Sequence, residues 1–180
     1  EWRSFNFLFM VVYAPEKETE LMNLLGQYGN EDVASRIAYE RASAEISRFT
    51  DINQFFAWFN RGTSMVQLKD FSGAAQSYDQ AFAIYQTLPE DTRPFRMVWY
   101  QTGPYYAYYY TNRFQDLINL ADLTLSLTNH PGLEESNYWR AMGNAAIGNN
   151  ADAIADLKTS IKIHPGFEPS VLLLQQLGGN

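Results

Sequence analysis

Histidine and cysteine, two residues often used for catalysis and metal binding, are scarce in this sequence. The absence of cysteine excludes disulfides, iron–sulfur clusters, cysteine-ligated zinc and cysteine nucleophiles from this chain. The two histidines, His130 and His164, are each followed directly by proline. This context is typical of a helix end, where a histidine commonly complements the helix dipole. We therefore expect neither histidine to bind a metal or to act in catalysis.

Acidic residues form three adjacent pairs, which are the other candidates for acid–base chemistry. The pairs are Glu31-Asp32, Glu90-Asp91 and Glu134-Glu135, each beside a predicted helix start, where carboxylates favour the helix dipole. Hydrolysis of a glycosidic bond requires two carboxylates that face each other across a cleft, which neighbouring residues cannot provide. The sequence also has no glycine-rich phosphate loop and no cluster of metal ligands. It therefore predicts no enzymatic activity, no metal site and no cofactor.

Composition favours a folded domain that recognises neither nucleic acid nor membrane. Of the 180 residues, 46% are hydrophobic and 18% are charged, which suffices for a sizeable core. Aromatic residues make up 16%, and surplus aromatic side chains often line recognition surfaces. The formal net charge of -7 and the lack of a basic run disfavour nucleic acid and anionic lipid. No apolar run in the sequence is long enough to span a bilayer.

Three of the four tryptophans mark a repeat along the chain. Trp58, Trp99 and Trp139 follow one another at about 40 residues, and a fixed period of this order is typical of repeat architectures. The segment that starts at the first reads Trp-x-x-Arg-Gly-x-x-Met, and the segment at the third reads Trp-x-x-Met-Gly-x-x-Ala. This pattern resembles the tetratricopeptide repeat (TPR), in which each unit is a pair of antiparallel helices. The resemblance implies an all-α, right-handed helical repeat, or α-solenoid, whose units stack on one another.

Small residues in two of these units support the resemblance. Gly62 and Gly143 fall inside predicted helices, where glycine costs about 1 kcal/mol relative to alanine, so close packing of a neighbouring helix is the expected compensation. Ala74 and Ala153 are the matching small residues on the second helix of each unit. The third unit is about two residues short between its glycine and its alanine. In the middle unit, Pro104 requires the first helix either to kink or to start afresh.

The predicted units divide most of the chain. The helical repeat domain covers residues 15–180, with a partial unit, three full units and a capping helix at about 30–51, 52–90, 93–130, 133–165 and 167–178. Residues 1–14 are predicted to form a short β-strand or linker from a preceding domain, because their aromatic and apolar residues follow a period of two. The helices offer this strand no partner, so we expect it to pair with a neighbouring domain or with a second copy of the chain.

The N-terminal segment and the repeats together resemble the C-terminal half of certain bacterial proteins. The segment reads Trp-Arg-x-Phe-Asn from Trp2 and Val-Tyr-x-Pro up to Pro15, and the repeats contain Gly-Pro-Tyr at 103–105 and Leu-Glu-Glu-Ser-Asn-Tyr-Trp at 133–139. In such proteins a C39-like (papain-like cysteine) peptidase domain precedes TPR units. The resemblance implies that this chain is the non-catalytic half, and that it lies in the cell envelope or outside the cell. Its partner would be a protein or peptide, or its own peptidase-like domain.

The resemblance to TPR proteins also implies a binding groove, because these proteins hold partners on the face formed by the first helix of each unit. The residues carried over to that face are Phe56, Phe59, Asn60, Thr63 and Gln67 in the first unit, Trp99, Thr102, Tyr106, Tyr109 and Tyr110 in the middle unit, and Asn137, Arg140, Ala141 and Asn144 in the third. They predict a groove with aromatic walls and a polar floor. The alternative is that most of these rings pack between helices.

Arg140 and Asn144 are four residues apart, so both side chains can reach one ligand group from a single helix face. They resemble part of the carboxylate clamp by which some TPR domains hold a chain terminus. Phe59 and Thr63 stand where a complete clamp would need lysine and asparagine. The alternative for Arg140 is an ion pair with a nearby carboxylate, of which the sequence offers Glu134, Glu135 and Asp156.

The sequence thus predicts a non-catalytic module that binds protein or peptide and is attached to a C39-like peptidase domain. Two alternatives stay open. The first is a scaffold that self-associates, with the N-terminal strand or an aromatic face forming a homodimer. The second is a helical hydrolase, because TPR-like folds can host ligands.

Overall fold

Every described element of the computed structural model is helical. The structure describes residues 31–127 and 133–179. The predicted fold class, a helical repeat with a short N-terminal β-strand, is therefore corrected to all-α, since these residues contain no strand and the strand assigned to residues 1–14 lies outside them. The homodimer predicted through that strand falls outside them too. A short alternating run was a weak basis for a strand, because such runs also occur in other structures.

The chain separates into two compact units, one ending at residue 94 and the other beginning at residue 95. The first unit contains, in its described part, three α-helices and a 3-10 helix: α1 (Glu31–Ile46), α2 (Asp51–Gln67), α3 (Phe71–Thr87) and the 3-10 helix Glu90–Thr92. Helix α1 packs against α2, and α2 packs against α3. The pair α2–α3 therefore has the helix–turn–helix form of a TPR unit.

Aromatic side chains form the contact between α2 and α3. Phe55, Phe59 and Tyr78 have no exposed surface. The Phe59 and Tyr78 rings meet edge to face with 5.0 Å between their centroids. Gly62 makes room for this contact, because a Cβ at that position would lie 2.8 Å from the Tyr78 ring. The close packing predicted at Gly62 is confirmed, and Ala74 on α3 is fully buried.

The second unit contains six α-helices in its described part: α4 (Phe95–Tyr100), α5 (Gly103–Tyr110), α6 (Phe114–Leu127), α7 (Glu134–Ala146), α8 (Asn150–Ile163) and α9 (Glu168–Gln176). Successive helices from α5 to α9 pack against one another. Of the two alternatives at Pro104, a kink or a new helix, the structure has the second: α4 ends before it, and Pro104 lies in the first turn of α5. Proline is tolerated there because a first-turn N–H has no partner within the helix.

Tyr105 links three helices of the second unit. Its hydroxyl donates a hydrogen bond to Thr124 Oγ1 at 3.0 Å on α6 and lies 3.2 Å from Ser136 Oγ on α7. Its ring stacks on Trp139 with 6.0 Å between centroids. Burial of this ring with its hydroxyl satisfied holds α5, α6 and α7 in a fixed arrangement.

Four of the described helices end in the same backbone turn. The second residue after the helix has a positive φ in each case: 62° at Lys69, 59° at Asn112, 87° at Gly148 and 72° at Gly178. The next N–H donates to the carbonyl five residues earlier, as in the 2.9 Å bond from Asp70 to Met65. This is the Schellman motif, which satisfies carbonyls at a helix C-terminus. Because the motif fixes where α2, α5 and α7 end, its left-handed residues Lys69, Asn112 and Gly148 can be treated as matching positions in the three units.

Alignment on these turns gives a different repeat from alignment on the tryptophans. The tryptophans are almost evenly spaced, whereas the step from Lys69 to Asn112 is clearly longer than the step from Asn112 to Gly148. The number of residues from Lys69 to Gly148, here called the turn offset, separates matching positions of the first and third units. It is smaller than the number of residues from Trp58 to Trp139.

The turn offset changes which small residue of the third unit matches Gly62. Adding it to Gly62 leads to Ala141, whereas the tryptophan spacing led to Gly143. Gly143 packs elsewhere, since a Cβ there would lie 2.8 Å from Ile118 on the preceding helix α6. The two glycines therefore occupy different contacts, although each one does allow a close helix approach.

Side-chain contacts support the same alignment. Arg61 on α2 donates to Ser77 Oγ on α3 at 2.9 Å. Arg140 on α7 donates to Asp156 Oδ1 on α8 at 2.6 Å. The two donors are separated by the turn offset, and so are the two acceptors. The same cross-helix contact thus recurs in both units.

No helix in the described ranges is at once long and apolar enough to cross a bilayer.

Candidate binding site

A row of tyrosines on α5 forms one wall of a pocket in the second unit, whose volume is about 270 Å³. Tyr106, Tyr109 and Tyr110 line this wall, and Thr102 lies just before the helix. Spacings of three and four residues place these side chains on one helix face. Tyr106 and Tyr110 stack with 6.2 Å between ring centroids, and Tyr109 meets Tyr110 edge to face at 5.5 Å. Tyr106 is 40% exposed and Tyr110 is 57% exposed, so both rings offer surface to a ligand.

Helix α7 forms the second wall. Glu135, Tyr138, Trp139 and Met142 line it with the same helical spacing. Trp139 is buried, and 4.7 Å separates the centroids of its ring and the Tyr106 ring, which meet edge to face. The indole therefore packs against the tyrosine wall. Glu135 is exposed at the pocket and is acidic, whereas the described residues that line the pocket include no basic one.

The start of α9 closes the third side. Phe167 and Pro169 line the pocket there. The Phe167 ring meets Tyr138 edge to face at 5.8 Å and stacks on the His164 ring at 5.9 Å. His164 Nδ1 lies 3.4 Å from Glu134 Oε1. His164, which follows α8, thus contacts both Glu134 and the Phe167 ring.

Tyr138 keeps its proton in this setting. Burial raises the pKa of its hydroxyl, and the nearby Tyr106, Tyr109 and Tyr110 raise this pKa further. The group is therefore a neutral hydrogen-bond donor at physiological pH. Negative charge in the pocket comes from the Glu135 carboxylate, whose side chain lies against an aromatic and otherwise uncharged lining.

Of the residues predicted in the middle unit, the structure brings together Thr102, Tyr106, Tyr109 and Tyr110. Trp99 does not line this pocket. It lies on α4 with its ring 5.1 Å from that of Phe95, and its indole Nε1 is buried without a hydrogen-bond partner in the described structure.

The third-unit residues carried over from the family lie away from the pocket. Asn137 is buried, and its side-chain amide donates to the Leu133 carbonyl at 2.8 Å. Ala141 is fully buried. Asn144 Nδ2 lies 3.4 Å from an oxygen of Asp156. These groups are engaged inside the helix pairs, so a ligand in the pocket does not meet them.

Arg140 forms an ion pair, which is the alternative that the sequence left open. Its guanidinium donates to both carboxylate oxygens of Asp156, at 2.6 and 3.0 Å, and to Asp122 Oδ1 at 2.7 Å. The hydrogen bonds to Asp156 raise the pKa of Arg140 above its already high ordinary value. Arg140 thus joins α6, α7 and α8, and it does not line the pocket.

The five residues predicted on α2 have unlike surroundings. Phe59 is fully buried against Tyr78, which leaves it no surface for a ligand. Phe56 and Thr63 are half-buried, and the Thr63 hydroxyl donates to the Phe59 carbonyl at 3.1 Å. Asn60 and Gln67 are exposed.

Sequence reasoning missed the α7 wall because it aligned the third unit on its tryptophan. Under the alignment set by the turns, the positions carried over on α2 move onto α7 by the turn offset. Phe56, Phe59, Asn60 and Thr63 then correspond, in order, to four lining residues, Glu135, Tyr138, Trp139 and Met142. A sequence signal for this alignment exists, since an arginine precedes a small residue at 61–62 and again at 140–141. The short spacing between Gly143 and Ala153 is the same signal.

The lining carries groups that can bind a ligand. Among the described residues, no group of three or more histidine, cysteine, aspartate or glutamate side chains could hold a metal ion. The exposed tyrosine faces can stack on apolar, aromatic or cationic groups, and the Tyr138 hydroxyl can donate a hydrogen bond.

Comparison with known proteins links the chain to interaction proteins. No protein-family model matches it. Aryl-hydrocarbon-interacting protein-like 1 of Pan paniscus is 22% identical over 140 residues, which cover 74% of this chain and 36% of that protein. The chain is distantly homologous to TPR-containing proteins. The same protein is 22% identical over 140 residues in Saimiri boliviensis boliviensis (74% of this chain, 38% of that protein) and 24% identical over 117 residues in Bos taurus (61% and 36%).

The chain spans less than two fifths of the length of these relatives, at 36% to 38%. At this level of identity, the homology supports only the helical repeat fold and the general role of such repeats. It indicates a helical protein-interaction module.

Proposed function

We propose that this chain binds an extended segment of a protein partner in the aromatic pocket of its second unit. The observation that carries the proposal is the exposure of Tyr106 and Tyr110, at 40% and 57%, on a wall of a pocket that three helices surround. Large exposed aromatic side chains grouped in a concave site are typical of binding surfaces, and tyrosine and tryptophan are enriched among residues that dominate binding energy.

The size of the pocket favours one or two side chains of a peptide as its occupant. Its volume of about 270 Å³ lies just below the range of roughly 300–1,000 Å³ usual for small-molecule sites. A peptide can extend beyond the pocket along the faces of α5 and α7. The distant homology to interaction proteins supports a protein partner.

We further propose that the chain itself is not an enzyme. The described residues of the lining have one threonine hydroxyl, four tyrosine hydroxyls and one carboxylate, and they include no histidine, lysine or second carboxylate with which to activate a nucleophile. A screen of the purified chain against ester, peptide and glycoside substrates should detect no turnover above the uncatalysed rate. Turnover that is lost in Glu135→Gln would contradict this proposal.

Attachment to a C39-like peptidase domain is a separate proposal, supported by the resemblance of residues 1–15 and of the repeats. The coding sequence upstream of Glu1 tests it. We expect that sequence to encode a peptidase-like domain with a cysteine and a histidine. An upstream sequence of another fold would exclude the attachment.

A displayed library of random peptides, selected on the immobilised chain, tests the binding proposal. Tyr106→Ala and Tyr110→Ala should each weaken an enriched peptide by about tenfold or more, as expected for residues that dominate an interface. Tyr100→Ala is the matched control, because Tyr100 is 72% exposed and does not line the pocket. Its affinity should stay within about twofold of the parent chain. Enriched peptides that bind Tyr106→Ala and Tyr110→Ala as tightly as the parent would contradict the proposed site.

A further inference from the structure

We infer that the pocket selects a cationic side chain, arginine or lysine, from the bound segment. This inference rests on the proposed function, because it names the chemistry that the same pocket reads. It differs from recognition of a carboxylate terminus, for which the sequence offered Arg140 and Asn144.

The arrangement of rings is the first support. The face of a tyrosine ring attracts a cation that lies within about 6 Å of the ring centroid. Tyr109 and Tyr110 meet at an interplanar angle of 87°, and Tyr138 and Phe167 meet at 84°. Rings at right angles on α5, on α7 and before α9 present faces and edges in several directions around one space. A cation that enters this space can meet more than one ring face.

The charge of the lining is the second support. Glu135 is exposed at the pocket and takes part in no ion pair with the residues that the structure describes. The nearby Arg140 is held by Asp156 and Asp122, and His164 is beside Glu134. A cation in the pocket can therefore pair with Glu135 without displacing an existing partner. An anionic group would face Glu135 and a chain whose net charge is -7.

The chain already packs arginine on tyrosine at other sites. The Arg113 guanidinium lies 4.6 Å from the centroid of Tyr108, and that of Arg61 lies 5.1 Å from the centroid of Tyr39. The pocket brings together four tyrosines, and no basic residue is among the described residues of its lining. An arginine or lysine of the partner supplies that missing charge.

Methyl NMR of the chain labelled at its methionine methyl groups tests the inference, because Met142 lines the pocket and Met65 is buried in the first unit. The probes are N-acetyl-argininamide and N-acetyl-lysinamide, each compared with a neutral analogue, N-acetyl-citrullinamide and Nε-acetylated N-acetyl-lysinamide. We expect the cationic probes to shift Met142 saturably and not Met65. Their affinity should exceed that of the neutral analogues by about threefold to fivefold or more, as an exposed cation–π contact predicts.

Variants separate the role of charge from that of shape. Glu135→Gln keeps the shape of the side chain and should weaken N-acetyl-argininamide by about threefold while leaving the citrulline probe unchanged. Glu90→Gln is the matched control, since Glu90 is exposed on the first unit and should have no effect.

Two results would overturn the inference. The first is equal affinity for the arginine and citrulline probes, which would make the pocket an apolar anchor. The second is the absence of any saturable Met142 shift with the cationic probes. Neither result would refute the proposed function if displayed peptides still lose affinity in Tyr106→Ala. If Met142 shows no saturable shift and displayed peptides also keep their affinity in Tyr106→Ala, the pocket is refuted as a binding site.

Discussion

Lys69 and Asn112 occupy left-handed backbone positions that normally favour glycine, with φ of 62° and 59°. Gly148 occupies the equivalent position in the third unit with φ of 87°. The left-handed conformation costs a residue with a Cβ about 1 kcal/mol. Among the described turns of this kind, two have a strained residue, Lys69 or Asn112, and two have glycine, Gly148 or Gly178.

We predict that Lys69→Gly raises the free energy of unfolding by about 0.5–1 kcal/mol and that Gly148→Ala lowers it by about 1 kcal/mol. Urea melts of the two variants measure both changes. Asn112→Gly should stabilise less than Lys69→Gly, because asparagine adopts this conformation more readily than lysine. Destabilisation by Lys69→Gly would mean that the turn after α2 is not left-handed.

The sequence predicted Arg140 as a groove residue, whereas in the structure it forms ion pairs with Asp156 and Asp122. It keeps 27% of its side chain exposed, whereas the Asp156 side chain is only 10% exposed. Removing the arginine leaves Asp156 with a largely buried and uncompensated charge.

We predict that Arg140→Met lowers the free energy of unfolding by about 3 kcal/mol, the low end of the range for buried pairs because Arg140 is partly exposed. Denaturant melts measure this change. Asp122→Asn is the control, since the Asp122 side chain is 55% exposed and its pairing should contribute about 1 kcal/mol or less. A variant Arg140→Met that keeps full stability but loses peptide binding would assign Arg140 to the ligand instead.

At the scale of the helix pair, the alignment of the units decides which residues face the pocket. The alignment set by the turns equates Gly62 with Ala141, and Tyr78 with Leu157, because each pair is separated by the turn offset. Tyr78 and Leu157 are both fully buried. The first unit thus combines glycine with a large ring, whereas the third combines alanine with a smaller side chain.

A double-mutant cycle tests this equivalence. Gly62→Ala alone should destabilise by about 1–3 kcal/mol, because its Cβ would lie 2.8 Å from the rigid Tyr78 ring. In the Tyr78→Leu background, Gly62→Ala should be neutral or stabilising by up to about 1 kcal/mol, the helix-propensity gain of alanine over glycine. A cycle with no coupling would contradict the contact between Gly62 and Tyr78, and a Gly62→Ala change that still destabilises in the Tyr78→Leu background would contradict the equivalence with Ala141 and Leu157.

Much of the fold could be predicted from the sequence, because glycine and alanine indicate where helices pack closely and proline indicates where a helix is interrupted. Gly62 indicated a close helix contact, and Pro104 indicated either a kink or a new helix start. The alignment of the third unit could not be predicted from its tryptophan, since a large ring can pack from several positions on a helix. Trp139 lies beside the pocket and Trp58 is half-buried, so equal spacing did not mean equal surroundings. The tyrosines on the exposed face of α5 were predicted from the groove positions that the TPR resemblance implies.

Buried tyrosines set how the whole molecule responds to alkali. Burial raises the pKa of the Tyr78 hydroxyl above its ordinary value of 10.0, although the hydrogen bond with Thr63 opposes this. Burial raises the pKa of Tyr105 in the same direction. In the unfolded chain these hydroxyls ionise near pH 10.0, whereas in the folded chain they stay protonated above it. Their contribution to stability is complete below that pH and is lost as the pH rises further.

We predict that the free energy of unfolding falls above about pH 10 by roughly 1.4 kcal/mol per pH unit for each tyrosine that stays protonated in the fold. Urea melts at a series of pH values from about 8 to about 11 measure this slope. Tyr78→Phe should lower overall stability but make the alkaline slope shallower, because one ionising group is removed. A slope that Tyr78→Phe leaves unchanged would show that other groups cause the alkaline loss.

At the scale of the whole molecule, we propose that a partner segment binds the helix faces around Tyr106 and Trp139. Hydrogen–deuterium exchange of the chain, with and without an enriched peptide, locates the bound segment. We expect slower exchange in residues 103–110 and 134–146 and no change in residues 51–67. Protection confined to residues 51–67, the helix on which the sequence placed five groove positions, would contradict it.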